Sequence, residues 1–254
     1  MLPLSDSDLK PRSRPVINLT LIGICAAVFI YELVIGGLDR QIFFYKFGLR
    51  PVEFTGGTTI NLLESDRALY DISSPIPTWM TLFISMFIHG DWLHFAGNML
   101  FLWVFGDNIE DRFGHLRYLL FCLAAGVAAS WLQIATDTAS QVPIIGASGA
   151  IAGVLGAYIV LFPRSRISTA VIFFIITVVR IPAFFLIGFW FLLQFVGGVG
   201  SLGTSAQGES VAYWAHIGGF VLGVLVALIY KLTTRQKPWS RETEVPRYWR
   251  GRRL

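Results

Sequence analysis

Residues 146–163 read GASGAIAGVLGAYIVLFP: the tetrad Gly146-Ala147-Ser148-Gly149 opens an apolar run that Pro163 closes. Glycines at 149, 153 and 156 give a helix through this run a face almost without side chains, suited to close packing in a membrane. Ser148 to Phe162 is 15 residues, about 22 Å of helix against an apolar bilayer thickness of roughly 30 Å. A helix that began at Ser148 would therefore start below the membrane surface. Its first N–H groups would lack helical partners, which only a water-filled or protein-lined cavity tolerates. The apolar run reaches back to Ile144, so a full-length helix with Ser148 in its first turn is the alternative.

The rest of the chain supports a membrane class. Of 254 residues, 54% are hydrophobic and 14% charged, where soluble domains carry roughly a quarter charged. Six apolar runs of spanning type occur: Ile17–Ile35, a run within Trp79–Phe105, Arg117–Ala135, Ile144–Phe162, Ile181–Val196 and Ala212–Leu232. The expected fold is all-α, a polytopic bundle of six transmembrane helices. The domain reading is a cytoplasmic segment 1–16, a membrane domain 17–232 and a basic tail 233–254. The polar N-terminus leads into a run of spanning length rather than a short signal core, so span one reads as a retained anchor. Cys25 and Cys122 fall inside spans and read as small buried hydrophobes.

Charge fixes the expected orientation. Lys10, Arg12 and Arg14 precede span one, Arg164, Arg166 and Arg180 lie between spans four and five, and eight Lys or Arg follow from Lys231 onward. The positive-inside rule assigns these segments and both termini to the cytoplasm. Loops 136–146 and 197–211 contain no basic residue, and 36–78 has four basic against five acidic residues; these face outward. Spans two, four and six then all begin at the outer face, so Asn98, Ser148 and His216 share roughly one depth. The localisation read from this is a multi-pass integral membrane protein, in the plasma (inner) membrane if the source is bacterial.

Ser148 and His216 are the candidate nucleophile and base. His216, in AYWAHIGGFVLG, is the one histidine in the second half of the chain and sits in an apolar span. Ionisable residues there are functional candidates, although a neutral histidine bonded to a neighbouring helix is the competing reading. Gly219 and Gly223 form a GxxxG face that lets span six approach the glycine face of span four. In HGDWLHFAGNML, His94 and Asn98 are spaced i, i+4 and share a face if the segment is helical. They suit stabilisation of an oxyanion, or else bonds between helices. His89 and Asp91 read as interfacial residues without chemistry. Asp71, Asp91, Asp137 and Glu209 fall in or beside loops, so a Ser-His dyad is expected rather than a triad.

These residues resemble the rhomboid family of intramembrane serine proteases. The family's GxSG is matched by Gly146-Ala147-Ser148-Gly149, its histidine by His216 in AHIGG, and its HxxxN by His94 and Asn98, in order over about Thr81–Leu232. The resemblance implies a six-helix core and a Ser-His dyad in an outward-facing, water-filled cavity, with His94, Asn98 and the Ser148 backbone N–H as oxyanion hole. It also implies that the loop before span two and the fifth span govern access for transmembrane protein substrates. Two features depart from it. Ala152 stands where some members carry a tyrosine that stacks on the histidine, and no Trp-Arg pair occurs in 36–78.

No cofactor or metal is implied. The basic tail with Trp239, Tyr248 and Trp249 has the composition of a segment resting on anionic lipid, with no nucleic-acid fold beside it. Gly197–Ser210 reads as a flexible loop or lid before span six. Ala170–Val179 is rich in β-branched residues and reads as an interfacial stretch not continuous with span five. A catalytically inactive rhomboid-like protein that binds membrane clients is the alternative function. A transporter is disfavoured because no internal repeat is found.

Overall fold

A computed structural model describes residues 1–9, 11–65, 67–172, 176–202 and 211–234. The N-terminal strand β1 (Leu2–Asp6) precedes helix α1 (Val16–Ile35). Two helices, α2 (Gly37–Phe47) and α3 (Pro51–Thr55), and a hairpin of β2 (Leu62–Ser65) with β3 (Ala68–Asp71) follow. Next come α4 (Thr78–Ile84), a 3-10 turn Ser85–Phe87, α5 (Trp92–Phe101), a π turn Leu102–Gly106 and α6 (Asp107–Phe113). The chain continues through α7 (His115–Thr136), α8 (Ser148–Leu161), strands β4 (Arg166–Ile172) and β5 (Ile176–Pro182), α9 (Ala183–Ser201) and α10 (Tyr213–Thr234). Among the described residues α1, α7, α9 and α10 are long and apolar enough to cross a membrane, and shorter apolar helices lie between them.

The all-α expectation is corrected. Strands β1, β4 and β5 form an antiparallel sheet in the order β1-β4-β5. The β-branched content that marks 170–179 suits strands rather than a helix. Pro182 ends β5 and stands at the N-cap of α9, consistent with the expected break before span five. The first loop, 36–78, holds two helices and a hairpin.

Span two lies within Trp79–Phe105, and its helical path is interrupted at Ile88–Asp91, where Ile88 and Asp91 are extended. Asp91 accepts the His94 N–H at 2.8 Å, an N-cap that starts a new helix at Trp92. From there the chain stays helical through the π turn to Phe113. In that turn Leu102 O accepts Asn18 Nδ2 at 3.0 Å, and Gly106 makes room, since a β-carbon there would lie 2.1 Å from Asn18 Oδ1. The other end of this segment caps α1: Glu110 accepts the Ile17 and Asn18 N–H groups at 2.9 and 2.7 Å.

Helix α8 is the centre of the bundle, buried without interruption from Gly149 to Tyr158. A helix apolar all round belongs inside. It packs against α7 and, most extensively, α10. The contact with α10 is backbone to backbone: a β-carbon on Gly219 would lie 1.9 Å from Gly149 O, and one on Gly223 2.0 Å from Gly153 O. The glycine faces expected of spans four and six are thus opposed. At its far end α8 stops before Pro163, and Tyr158 and Ser165 bond to Asp6 of β1, which ties the sheet to that end. Cys25 and Cys122 are buried free thiols, as expected.

Candidate functional site

The site lies at the end of the bundle opposite the sheet, where α5, α8 and α10 begin and α7 and α9 end. The first α-helical residue after the loop is Ser148, so the alternative of a helix running back to Ile144 is set aside. The loop before it is held extended from two sides. Leu49 and Ile144 exchange N–H···O bonds of 3.0 and 2.8 Å, and Gly146 N–H donates to Ser85 O at 2.9 Å. Gly48 is wedged beside Pro143, where a β-carbon would come within 2.7 Å of Pro143 Cβ. The first loop therefore buttresses the serine loop directly.

Gly146 explains why the tetrad opens with glycine. Its φ of +116° is one that L side chains rarely adopt, and a β-carbon would lie 2.5 Å from His94 Nε2 and 3.7 Å from Asn98 Nδ2. His94 and Asn98, one turn apart on α5, thus meet the backbone two residues before Ser148. The first helical bond of α8 runs from Ile151 N–H to Ala147 O. The N–H groups of Ser148, Gly149 and Ala150 precede it and have no intrahelical acceptor. Asn98 is 8% exposed, and its Nδ2 has no hydrogen-bond acceptor among the described residues. The buried Asn98 amide thus meets the chain at Gly146, just before the N-terminus of α8, with no acceptor for its Nδ2 among the described residues.

Helix α10 brings His216 alongside. Ala215 O lies 3.8 Å from where a β-carbon of Gly149 would sit, so the residue before the histidine touches the residue after the serine. His216 is buried. Among the described residues no hydrogen bond joins Ser148 to His216. The imidazole Nδ1 lies 2.7 Å from Gln194 Oε1 on α9, and the Trp190 ring is 5.8 Å from the imidazole, centroid to centroid. The first turn of α10 is anchored by Gln133 of α7, whose Oε1 accepts the Ala215 N–H at 3.1 Å.

His89 is 0% exposed, with its ring 5.3 Å from that of His94. Its N–H donates to Glu32 at 3.0 Å, and its carbonyl and that of Gly90 accept Arg40 at 3.3 and 2.6 Å. The segment entering α5 is thereby fixed to α1 and α2. Asp91 is exposed and acts as the N-cap described above. Gln133 and Gln194 are not among the candidates the motifs point to. Each is the sole side-chain amide in its apolar run, and that isolation was the available signal. The expected loop Gly197–Ser210 is corrected at its start, where Gly197 to Ser201 form the end of α9; 203–210 and the tail from 235 lie outside the described residues, and the lid and lipid-contact readings fall there untested.

The chain is similar to known proteins along part of its length. The chain is 31% identical over 147 residues to Rhomboid protein 1, mitochondrial, of Saccharomyces cerevisiae, covering 56% of this chain and 39% of that protein. It is 35% identical over 127 residues to Rhomboid protease GluP of Bacillus subtilis, covering 49% and 24%. It is 29% identical over 170 residues to the bovine (Bos taurus) Presenilin-associated rhomboid-like protein, mitochondrial, covering 66% and 41%. The aligned part is thus less than half the length of each of these relatives. Residues 77–232, more than half of this chain and including His94, Asn98, Ser148 and His216, match the Rhomboid domain, and the protein belongs to the rhomboid family of multi-pass membrane proteins.

Proposed function

We propose that the protein is an intramembrane serine endopeptidase that hydrolyses peptide bonds in or near transmembrane segments of membrane-protein substrates. In this reading six segments cross the membrane, both termini are cytoplasmic, and the Ser148 end of the bundle faces outward. Ser148 Oγ attacks the scissile carbonyl carbon while His216 Nε2 takes its proton. The tetrahedral oxyanion is held by Asn98 Nδ2, His94 and the Ser148 N–H. Collapse expels the amine, which receives the proton from His216, and water then hydrolyses the acyl-serine by the same relay.

The observation that carries the reading is the buried Asn98 Nδ2 without an acceptor, beside the N-terminus of α8. A buried donor left unpaired costs about 1–3 kcal/mol, a cost explained if its acceptor is an oxygen that arrives with substrate. The apolar cleft lined by Phe101, Phe105, Leu155, Leu186 and Trp190, between α5 with its π turn and α9, supports a role for the fifth span in substrate access.

A second reading, the inactive client-binding protein, is favoured by one observation, the lack of a Ser148–His216 hydrogen bond. Labelling of the detergent-solubilised protein with a serine-reactive fluorophosphonate separates the two. The protease reading expects labelling of the native protein, none of Ser148→Ala or His216→Ala, and cleavage of a single-span substrate that both variants lack. A folded native protein that neither labels nor cleaves is the inactive form.

A further inference from the structure

We infer that Gln194 is a positioning residue for the histidine base, holding His216 in the Nδ1–H tautomer so that Nε2 faces the serine as a proton acceptor. The inference rests on the protease reading above. A neutral imidazole carries one N–H, and an amide oxygen has no proton to give. The 2.7 Å contact between Gln194 Oε1 and His216 Nδ1 is therefore a hydrogen bond only if Nδ1 holds the proton. The lone pair is then left on Nε2, the state a general base needs.

The placement is independent of the tautomer argument. Trp190 and Gln194 are spaced i, i+4 on α9 and share one face. That face packs a ring against the imidazole, at 39° between planes, and presents an amide to its edge. Ala152, one turn after Ser148, offers no ring, so α9 supplies from the other side what α8 lacks. An amide does this without the heavy desolvation cost that a carboxylate would carry in an apolar span. Helices α8 and α9 contain no Asp, Glu, His, Lys or Arg, and His115, Arg117 and Lys231 of α7 and α10 lie at the sheet end. On α5, His94 is the titratable residue that meets the serine loop, at Gly146.

The test uses the full chain in detergent micelles. In 15N-histidine spectra at neutral pH, assigned by loss in His216→Ala, native His216 is expected to show a protonated Nδ1 and an unprotonated Nε2. Gln194→Leu should mix or reverse the tautomers and lower kcat about ten-fold, the order of one hydrogen bond, with KM unchanged. Gln194→Glu should restore the Nδ1–H tautomer and move the acid limb of the kcat/KM profile to higher pH, because a carboxylate favours the imidazolium. A merely structural glutamine would lower the melting temperature of both variants and leave tautomer and acid limb in place. Native His216 protonated at Nε2, or Gln194→Leu with native kcat, overturns the inference. Failure of the protease reading looks different: Ser148 then does not react with fluorophosphonate, whatever the tautomer, and the spectra still decide the role of Gln194.

Discussion

Replacing Asn98 by alanine should separate rate from stability, with opposite expectations for the two roles this residue could play. If Nδ2 donates to an oxyanion, its bond strengthens only as charge develops. Losing one such donor costs about 10²- to 10³-fold in turnover, or about 2.7–4 kcal/mol. Stability should move little. Nδ2 has no acceptor among the described residues, so its removal ends an unpaired burial worth about 1–3 kcal/mol, which offsets the packing lost with the amide. A residue holding helices together by an interhelical hydrogen bond would instead lose on the order of 0.6 kcal/mol with little selective effect on rate. Residual activity above that of Ser148→Ala is expected, because the Ser148 N–H and His94 stay in place. The assay is kcat, KM and melting temperature on one preparation of Asn98→Ala. Unchanged kcat with a lowered melting temperature would refute the oxyanion role.

Gly146→Ala should lower fluorophosphonate labelling at least about ten-fold, since the φ of +116° costs an L residue about 1–3 kcal/mol and the new methyl meets the His94 ring; native labelling would remove the steric argument. Burial raises the Asp6 carboxyl above its ordinary 3.8, against the bonds it accepts from Tyr158 and Ser165. Its protonated form is the one the fold favours, so its contribution to stability is full below pH 3.8 and is lost as pH rises through the elevated folded value. Thermal scans across that window should show a decline that Asp6→Asn flattens, and an unaltered slope in the variant would count against it. A reporter fused after Leu254 should read cytoplasmic and one inserted within 203–210 external; an external C-terminus would invert the proposed orientation.

Much of the bundle was legible because apolar length and loop charge are local properties. Spans one, three, five and six fall within a few residues of α1, α7, α9 and α10. What failed depended on partners distant in sequence. His89 and Asp91 mark an interruption in span two, but hydropathy does not register that Asp91 caps a new helix there. Strand β1 could not be read from five residues whose pairing lies 160 or more positions away, at Ile167 to Ala170. His89 is buried beside Glu32 of α1 and Arg40 of α2, contacts that hydropathy does not register.

The site divides along the same line. Three of the four tetrad positions are tightly constrained: Gly146 by its backbone angle and the His94 ring, Ser148 by the helix start, Gly149 by the approach of Ala129 and Ala215. Such constraints tolerate few residue types, which is why a short motif can be read without a structure. The glutamines are different, because an amide at 133 or 194 becomes meaningful only when another helix presents a backbone N–H or an imidazole to it. In water an exposed glutamine needs no partner. In an apolar span an unpaired amide is costly, so a solitary one predicts a polar partner on a neighbouring helix even when sequence cannot name it. Here both partners lie on α10, one at Ala215 and the next at His216, so the two side chains that hydropathy passed over converge on the turn that carries the base.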